Sequence, residues 1–279
     1  SRKMKKYEIL RVLNDSSFEN SALWVAEAEF GFSYLTEKID SFAGTAKILE
    51  VGCGTGILLS MLAEEFSQHE LNGIEPFGDG HSLFKDLNSA VRKTGVNLKI
   101  ESYEDHKSET KYDLIYCVNV FEHVDDWRHF LNWAADNLNE GGVFFVLCPN
   151  YGFPYEPHFK IPIIFNKNLT YKLFKNHILK FEENMASGTF GLWNSLNFVK
   201  KKEVRKFFNQ TELSQKFVMH DETGVIDDMV NRVSEDAEFR KRQSLLGSIA
   251  VLMKKLGVFN LIKRFPNYIP YMKFSFIKR

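Results

Sequence analysis

Short apolar runs recur through the first half of the chain, each followed by a stretch of helical period. Residues 47–51, 70–75, 97–101, 112–118 and 142–148 have the length and apolar content of strands. Residues 56–67, 80–94 and 125–139 repeat apolar positions every three or four residues, as helices do. Strand and helix in unbroken alternation predict a parallel sheet joined by right-handed crossovers. Leu114–Val118 and Val143–Leu147 are apolar at nearly every position, the mark of strands covered on both faces. Gly141-Gly142 ahead of the second run predicts a helix end and a turn. Upstream, residues 18–42 read as one helix with Trp24, Ala28, Phe32 and Leu35 on a single face, a cap across the front of the sheet.

After Cys148 the rhythm changes. Pro149, Pro154, Pro157 and Pro162 stand among aromatics, which excludes a helix over 149–166 and predicts an ordered loop. A basic helix at 199–209 and a strand at 213–220 continue the core. A last strand at 271–278 is marked by Met272, Phe274 and Phe276 in alternation with polar residues. Residues 222–257, between those strands, read as largely helical.

The first strand runs straight into Gly52, Gly54 and Gly56, with a helical pattern from Ile57. Glycines at alternate positions let the backbone turn sharply and approach a ligand, and the following helix aims free N–H groups at it. The dinucleotide fingerprint G-x-G-x-x-G/A requires a small residue where Ile57 stands, and a phosphate loop requires Gly-Lys-Ser/Thr, which is absent here. What remains is Glu50-x-Gly52-x-Gly54-x-Gly56 with an acidic residue, Glu75, closing the next strand before Pro76. This pattern resembles the class I S-adenosylmethionine-dependent methyltransferases.

That resemblance implies an α/β, Rossmann-like doubly wound sheet of seven strands in the order 3-2-1-4-5-7-6. It divides the chain into an N-terminal helical cap (1–43), a core (44–220 and 266–279) holding a substrate loop at 149–166, and a helical insertion (221–265). It also implies a cofactor site at Glu50, Gly52, Cys53, Gly54, Gly56, Glu75 and Pro76, with Glu75 accepting from both ribose hydroxyls; a carboxylate suits that role because it only accepts. Ser102 and Tyr103 occupy the adenine-contacting position after the third strand. Glu104 and Asp105, just beyond, read either as adenine contacts or as solvated turn residues. The donor is S-adenosylmethionine and the product S-adenosylhomocysteine.

Past the fourth strand, Asn119-Val120-Phe121-Glu122-His123-Val124 resembles the Glu-His-Val segment of a subgroup that includes quinone O-methyltransferases and small-RNA 2′-O-methyltransferases. Asn119 is expected to line the cofactor there. His123, and His158 in the substrate loop, are the expected general bases toward a hydroxyl, since imidazole titrates near neutrality. A histidine that merely fixes its loop is the equal alternative for His123. Some relatives hold a divalent metal with a carboxylate three residues before the Glu-His pair; Asn119 stands at that position and no cluster of metal-ligand spacing appears elsewhere, so no metal is expected. Tyr151, Tyr155 and Glu156 offer aromatic faces and polar heads suited to a carbohydrate or ring-bearing acceptor; packing is the competing account of the aromatics.

Composition, 44% hydrophobic and 26% charged, is that of an ordinary globular protein. Cys53, Cys117 and Cys148 are scattered, suggesting a reducing cytoplasmic setting rather than a disulfide framework. The formal net charge of zero divides into 22 Lys+Arg against 12 Asp+Glu over 151–279 and the reverse excess before it. Solvated helix faces would account for this. So would contact of the basic third with something anionic, which makes the inner face of a membrane a second expected partner beside a small-molecule or glycan substrate, with nucleic acid disfavoured. The expected reaction is methyl transfer to a hydroxyl of a small molecule or a glycan or lipid-linked acceptor. A nicotinamide oxidoreductase on the same sheet and a non-catalytic cofactor-binding module are the alternatives; Ile57 argues against the first.

Overall fold

A computed structural model describes residues 7–15, 21–76, 91–184, 191–222, 224–235, 255 and 257–279. Its strands are β1 (Lys47–Val51), β2 (Glu70–Ile74), β3 (Asn97–Lys99), β4 (Tyr112–Val118), β5 (Leu138–Pro149), β6 (Tyr155–Glu156), β7 (Ile161–Pro162), β8 (Phe217–Asp221) and β9 (Tyr271–Lys278). Seven form one sheet in the order β3-β2-β1-β4-β5-β9-β8, while β6 and β7 form a small antiparallel pair. Counting only the sheet strands, that is the 3-2-1-4-5-7-6 order the resemblance implies. β1 runs parallel to both β2 and β4, with Glu50 opposite Gly73 on one side and Tyr116 on the other.

The chain divides into two compact units, one of Ser1–Val118, Phe130–Phe145 and Ile277–Arg279, the other of Asn119–His129 and Val146–Phe276. In the first, α1 (Glu8–Asp15) and α2 (Ser21–Asp40) both contact α3 (Ile57–Glu65). Tyr7 Oη donates to Glu65 at 2.7 Å. The helix expected at 18–42 is thus α2. At Gly31, an added Cβ would lie 2.7 Å from Leu58 Cδ2, so the absent side chain lets α2 approach α3 closely. The helix expected at 80–94 lies outside the described residues except for its last turn.

Helix α4 (Trp127–Asn137) runs directly into β5, which starts four residues earlier than the apolar pattern implied. Gly141, with φ of 75°, stands inside the strand instead of in a turn before it. In the second unit follow α5 (Lys167–Asn184), α6 (Leu192–Ser195), α7 (Lys201–Gln210), α8 (Leu213–Lys216), α9 (Val225–Glu235) and α10 (Val258–Ile262). The first half of the strand expected at 213–220 is the helical turn α8; β8 begins only at Phe217. Of the expected helical insertion, α9 and α10 are helical and residues 236–254 lie outside the described residues. No helix among the described residues is long and apolar enough to cross a membrane.

Gly73 ties the sheet to the glycine turn. A Cβ there would fall 2.6 Å from Leu59 Cδ2 and 3.0 Å from Cys53 Sγ. Gly73→Ala is therefore expected to destabilise the fold by about 1–3 kcal/mol through overpacking. Urea unfolding should show a lower midpoint at unchanged slope.

Candidate functional site

The turn after β1 is built by three glycines in the left-handed region, Gly52, Gly54 and Gly56, at φ of 72°, 51° and 77°. Side chains there would be strained, which explains why the sequence spends glycine at each position. Gly52 N and Cys53 N donate to Ile74 O at 2.8 and 3.2 Å, and Gly56 N donates to Cys53 O at 2.7 Å. Gly54 N donates to the Glu75 carboxylate at 2.9 Å, so the acidic residue after β2 is fixed against the turn. Pro76 follows it, exposed. Cys53 is buried, and its thiol is pushed up by burial, with Glu50 and Glu75 adding to the effect.

Glu50 is buried in the sheet and accepts from Tyr116 Oη at 2.9 Å. Burial pushes its carboxyl up to about 8; the Tyr116 hydrogen bond opposes this and the nearby Glu75 charge adds to it. At neutral pH it is held mostly protonated, ready to ionise when a cation arrives.

The segment after β3 differs from expectation. Tyr103 is buried against Phe130 and Trp133, with ring centroids 4.5 and 5.4 Å away, so its aromatic face serves the core and not an adenine. Ser102 Oγ is engaged in its own turn with Asp105 N and Oδ2. Beside them His106, also buried, bridges Glu101 Oε1 (2.6 Å) and Tyr112 Oη (2.7 Å), a link that holds the segment to β4.

In the second unit, Asn119 follows β4 in the left-handed region (φ 55°), and its N–H donates to Leu147 O at 2.8 Å. Its Oδ1 is buried with no hydrogen-bond partner among the described residues. Phe121–His123 then form a single 3₁₀ turn. Asn197 clamps that turn: its Nδ2 donates to Phe121 O and Val124 O, and its backbone N–H donates to Glu122 O.

Ser195 Oγ lies 2.7 Å from Leu192 O and 2.9 Å from His123 Nδ1. With its one proton on Leu192 O it accepts from Nδ1, the tautomer in which Nε2 keeps its lone pair. Burial, reinforced by the neighbouring His158, pushes His123 down to about 3, so the ring is neutral at physiological pH.

His158 is oriented in the same way. Its Nδ1 lies 2.7 Å from Glu156 Oε1, a carboxylate oxygen that also accepts from Tyr151 Oη at 3.0 Å; Oε2 accepts from Phe159 N. Nε2 of His158 and Nε2 of His123 then lie 3.8 and 3.7 Å from Glu122 Oε1, and the rings meet edge to face at 5.1 Å. Glu122 is 0% exposed. One ligand atom from each of Glu122, His123 and His158 lies within 4.8 Å of the others, a set that could hold a metal ion. The expectation of no metal rested on Asn119 and on the lack of metal-ligand spacing elsewhere in the sequence; folding supplies His158 from thirty-five residues further on.

Two of the expected substrate residues are placed otherwise. Tyr151 is buried in an apolar cluster with Phe159, Ile161, Ile178, Trp193 and Leu196 and stacks on Phe198; Glu156 is 0% exposed and fully engaged. Both support His158 and offer no free face to an acceptor. Tyr155 is half-buried, its hydroxyl pushed up to about 12 by burial and the Glu156 charge. Sequence reasoning missed Ser195 and Asn197, which carry no local motif, and Asn150. Asn150 anchors the start of the loop by donating to Asn267 O and Ile269 O while accepting from Gly152 N and Lys201 N.

Glu50 generates a pH prediction. A ligand bearing an ammonium group, as S-adenosylhomocysteine does, favours the ionised carboxylate, so binding near pH 7 should release a proton. Affinity should rise with pH, by at most about tenfold per unit, up to the carboxyl's own value near 8. Titration calorimetry in buffers of different ionisation enthalpy measures both effects, and Glu50→Gln should flatten them.

Comparison with known proteins identifies the family. Residues 28–217 match the model of a methyltransferase domain family. The chain is 33% identical over 239 residues to the protein MT1557 of Mycobacterium tuberculosis, covering 82% of this chain and 78% of that one. It is 27% identical over 209 residues to a ubiquinone biosynthesis O-methyltransferase of Vibrio parahaemolyticus, covering 70% and 78%. Among solved structures it resembles the plantazolicin methyltransferase BpumL in complex with SAH (TM-score 0.51, 12% identity, 100% and 93% covered). It also resembles Haemonchus contortus phosphoethanolamine N-methyltransferase 2 in complex with S-adenosyl-L-methionine (TM-score 0.51, 12% identity, 89% and 51% covered). These two likenesses speak to the fold. With the family match spanning the glycine turn, Glu75 and the Glu-His pair, the chain belongs to the class I methyltransferases, whose methyl donor is S-adenosylmethionine.

Proposed function

We propose that the chain is an O-methyltransferase acting on a hydroxyl of a small-molecule, glycan or lipid-linked acceptor, with Glu122, His123 and His158 forming the acceptor side of the site. The observation that carries this reading is the convergence of a carboxylate oxygen and two imidazole Nε2 atoms whose partner nitrogens are both committed elsewhere. The named O-methyltransferase relative points the same way.

Transfer is an in-line displacement. The acceptor oxygen forms a bond to the methyl carbon, the carbon–sulfur bond breaks with its pair going to sulfur, and the hydroxyl proton must leave. The protein's work is to position the two reactants and exclude water. His123, held down to about 3, is a poor proton acceptor at neutral pH but a good neutral ligand. One carboxylate and two imidazoles fit a first-row divalent ion better than magnesium. Their outer partners Glu156 and Ser195 orient the rings as is usual around metals. Such an ion, when bound, supplies Lewis acidity that makes a hydroxyl easier to ionise. A second reading has His158 as base without an ion, favoured by the Glu156 carboxylate on its Nδ1.

Calorimetric titration of manganese or zinc into the cofactor-free chain separates the two. One bound ion is expected, lost in Glu122→Gln and His158→Ala and weakened about 10–100-fold in Glu156→Gln. Acceptor-dependent S-adenosylhomocysteine formation across hydroxyl compounds should then disappear on chelation. Activity that survives chelation, with no ion bound, selects the base reading; no dependence on any hydroxyl acceptor defeats both.

A further inference from the structure

The stretch from Lys160 to Lys180 shows solvent a set of side chains that the proposed transfer does not use. Phe165 is 90% exposed, with φ of 58°. The left-handed region is costly for a bulky aromatic, and the surrounding hydrogen bonds hold it there. Ile164 N donates to Thr170 Oγ1 at 2.9 Å, Asn166 N to Ile164 O at 2.6 Å, and Leu169 N to Asn166 Oδ1 at 2.9 Å, which makes Asn166 the cap of α5. An apolar residue just before a cap ordinarily folds back on the fourth helical residue. Here that residue is Thr170, buried and donating to Asn166 O. Phe165 finds no apolar seat and is held out into water.

The exposed positions of α5 continue the theme. Leu173 is 61% exposed and Leu179 is exposed too, with Lys172, Lys175 and Lys180 exposed among them and Lys160 on the turn ahead. Acid is nearly absent: Glu182 is buried, accepting from Trp193 N, and Glu183 is the one exposed acidic residue of the helix. Lys167, by contrast, turns inward to the carbonyls of Asn194 and Leu196.

We propose that this face docks the chain on an anionic lipid surface, with Phe165 and Leu173 entering the headgroup–acyl boundary and the lysines meeting lipid phosphates. The two kinds of side chain need different surroundings, hydrocarbon for the apolar tips and fixed negative charge for the ammonium groups, and a bilayer of anionic lipid offers both within a few ångströms. A polyanion would satisfy the lysines and leave the apolar tips in water. The proposal deepens the acceptor reading, on which it rests for its purpose, by favouring a lipid-linked hydroxyl over a freely diffusing one.

Flotation of the full chain with phosphatidylglycerol-containing vesicles, against pure phosphatidylcholine, tests it. Salt-sensitive binding to the anionic vesicles alone is expected, about tenfold weaker in Phe165→Ser. It should be lost in Lys172→Glu/Lys175→Glu/Lys180→Glu, with thermal unfolding and S-adenosylhomocysteine binding unchanged in both variants. No binding to anionic vesicles overturns the proposal. So does binding indifferent to both variants, or retention on a polyanion such as heparin without vesicle binding. Failure of the proposed function is a separate result: vesicle binding intact, with no hydroxyl acceptor methylated.

Discussion

The second unit is organised by a carboxylate that has no access to water. Glu156 is 0% exposed, and an ionised group in that position costs several kcal/mol unless its lone pairs are filled. Here they are filled from three directions, by the Tyr151 hydroxyl, the His158 ring and the Phe159 amide. Satisfying Glu156 fixes the loop after β5, places Tyr151 on Phe198 and decides which nitrogen of His158 faces Glu122. The apolar cluster of Phe159, Ile161, Ile178 and Trp193 closes over the same loop, so packing and hydrogen bonding specify one conformation together. Removing the carboxylate would leave a donor hydroxyl, a ring N–H and an amide stranded in that cluster, which is why the orientation of His158 cannot be separated from the fold that carries it.

Legibility from sequence followed contact range. Strands β1, β2 and β4, the turn of Gly52, Gly54 and Gly56, and Glu75 as its partner could be read because each depends on residues adjacent in the chain or on one βα unit. β9 was read to the residue, since its alternation sits between a turn and the chain end. What escaped depends on distant pairings. Ser195 lies seventy-two residues from the histidine whose tautomer it sets, and Asn197 is similarly remote from the 3₁₀ turn it clamps. Tyr103 was misread for a related reason: its aromatic character suits a ligand or a core equally, and only Phe130 and Trp133, brought by α4, decide for the core. The long start of β5 was hidden because Gly141 and Gly142 look like a turn, whereas here they bend a strand.

The charge division looks different once burial is known. Some of the basic residues after residue 150 are engaged inside the second unit. Lys201 is buried and paired with Asp221, Lys273 is paired with Glu222, and Lys167 is bonded to carbonyls. Those cations are structural and say nothing about partners. The cations left exposed beside apolar side chains are the informative ones; one group lies on α5 and the turn before it, and another, Arg264 with Leu261, Phe265 and Tyr268, lies at and after α10. Net charge over half a chain could not make that distinction, because it counts a buried lysine and a solvated one alike.

Each unit buries a titratable group, and the same physics acts on the two with opposite sign. Burial raises the carboxyl of Glu50 to about 8 and lowers the imidazole of His123 to about 3, so at neutral pH each group is held in its uncharged form. An uncharged buried group is cheap to keep folded, yet each is poised toward a cation. Glu50 gains by losing its proton when positive charge comes near, and His123 already offers a bare lone pair. A methyl donor that arrives as a sulfonium with an ammonium group carries such a charge. Within the second unit, a donor set of two imidazoles and a carboxylate could hold an ion with no proton to displace from His123. The transfer itself consumes the sulfonium charge, so the product is held by one positive charge fewer than the donor.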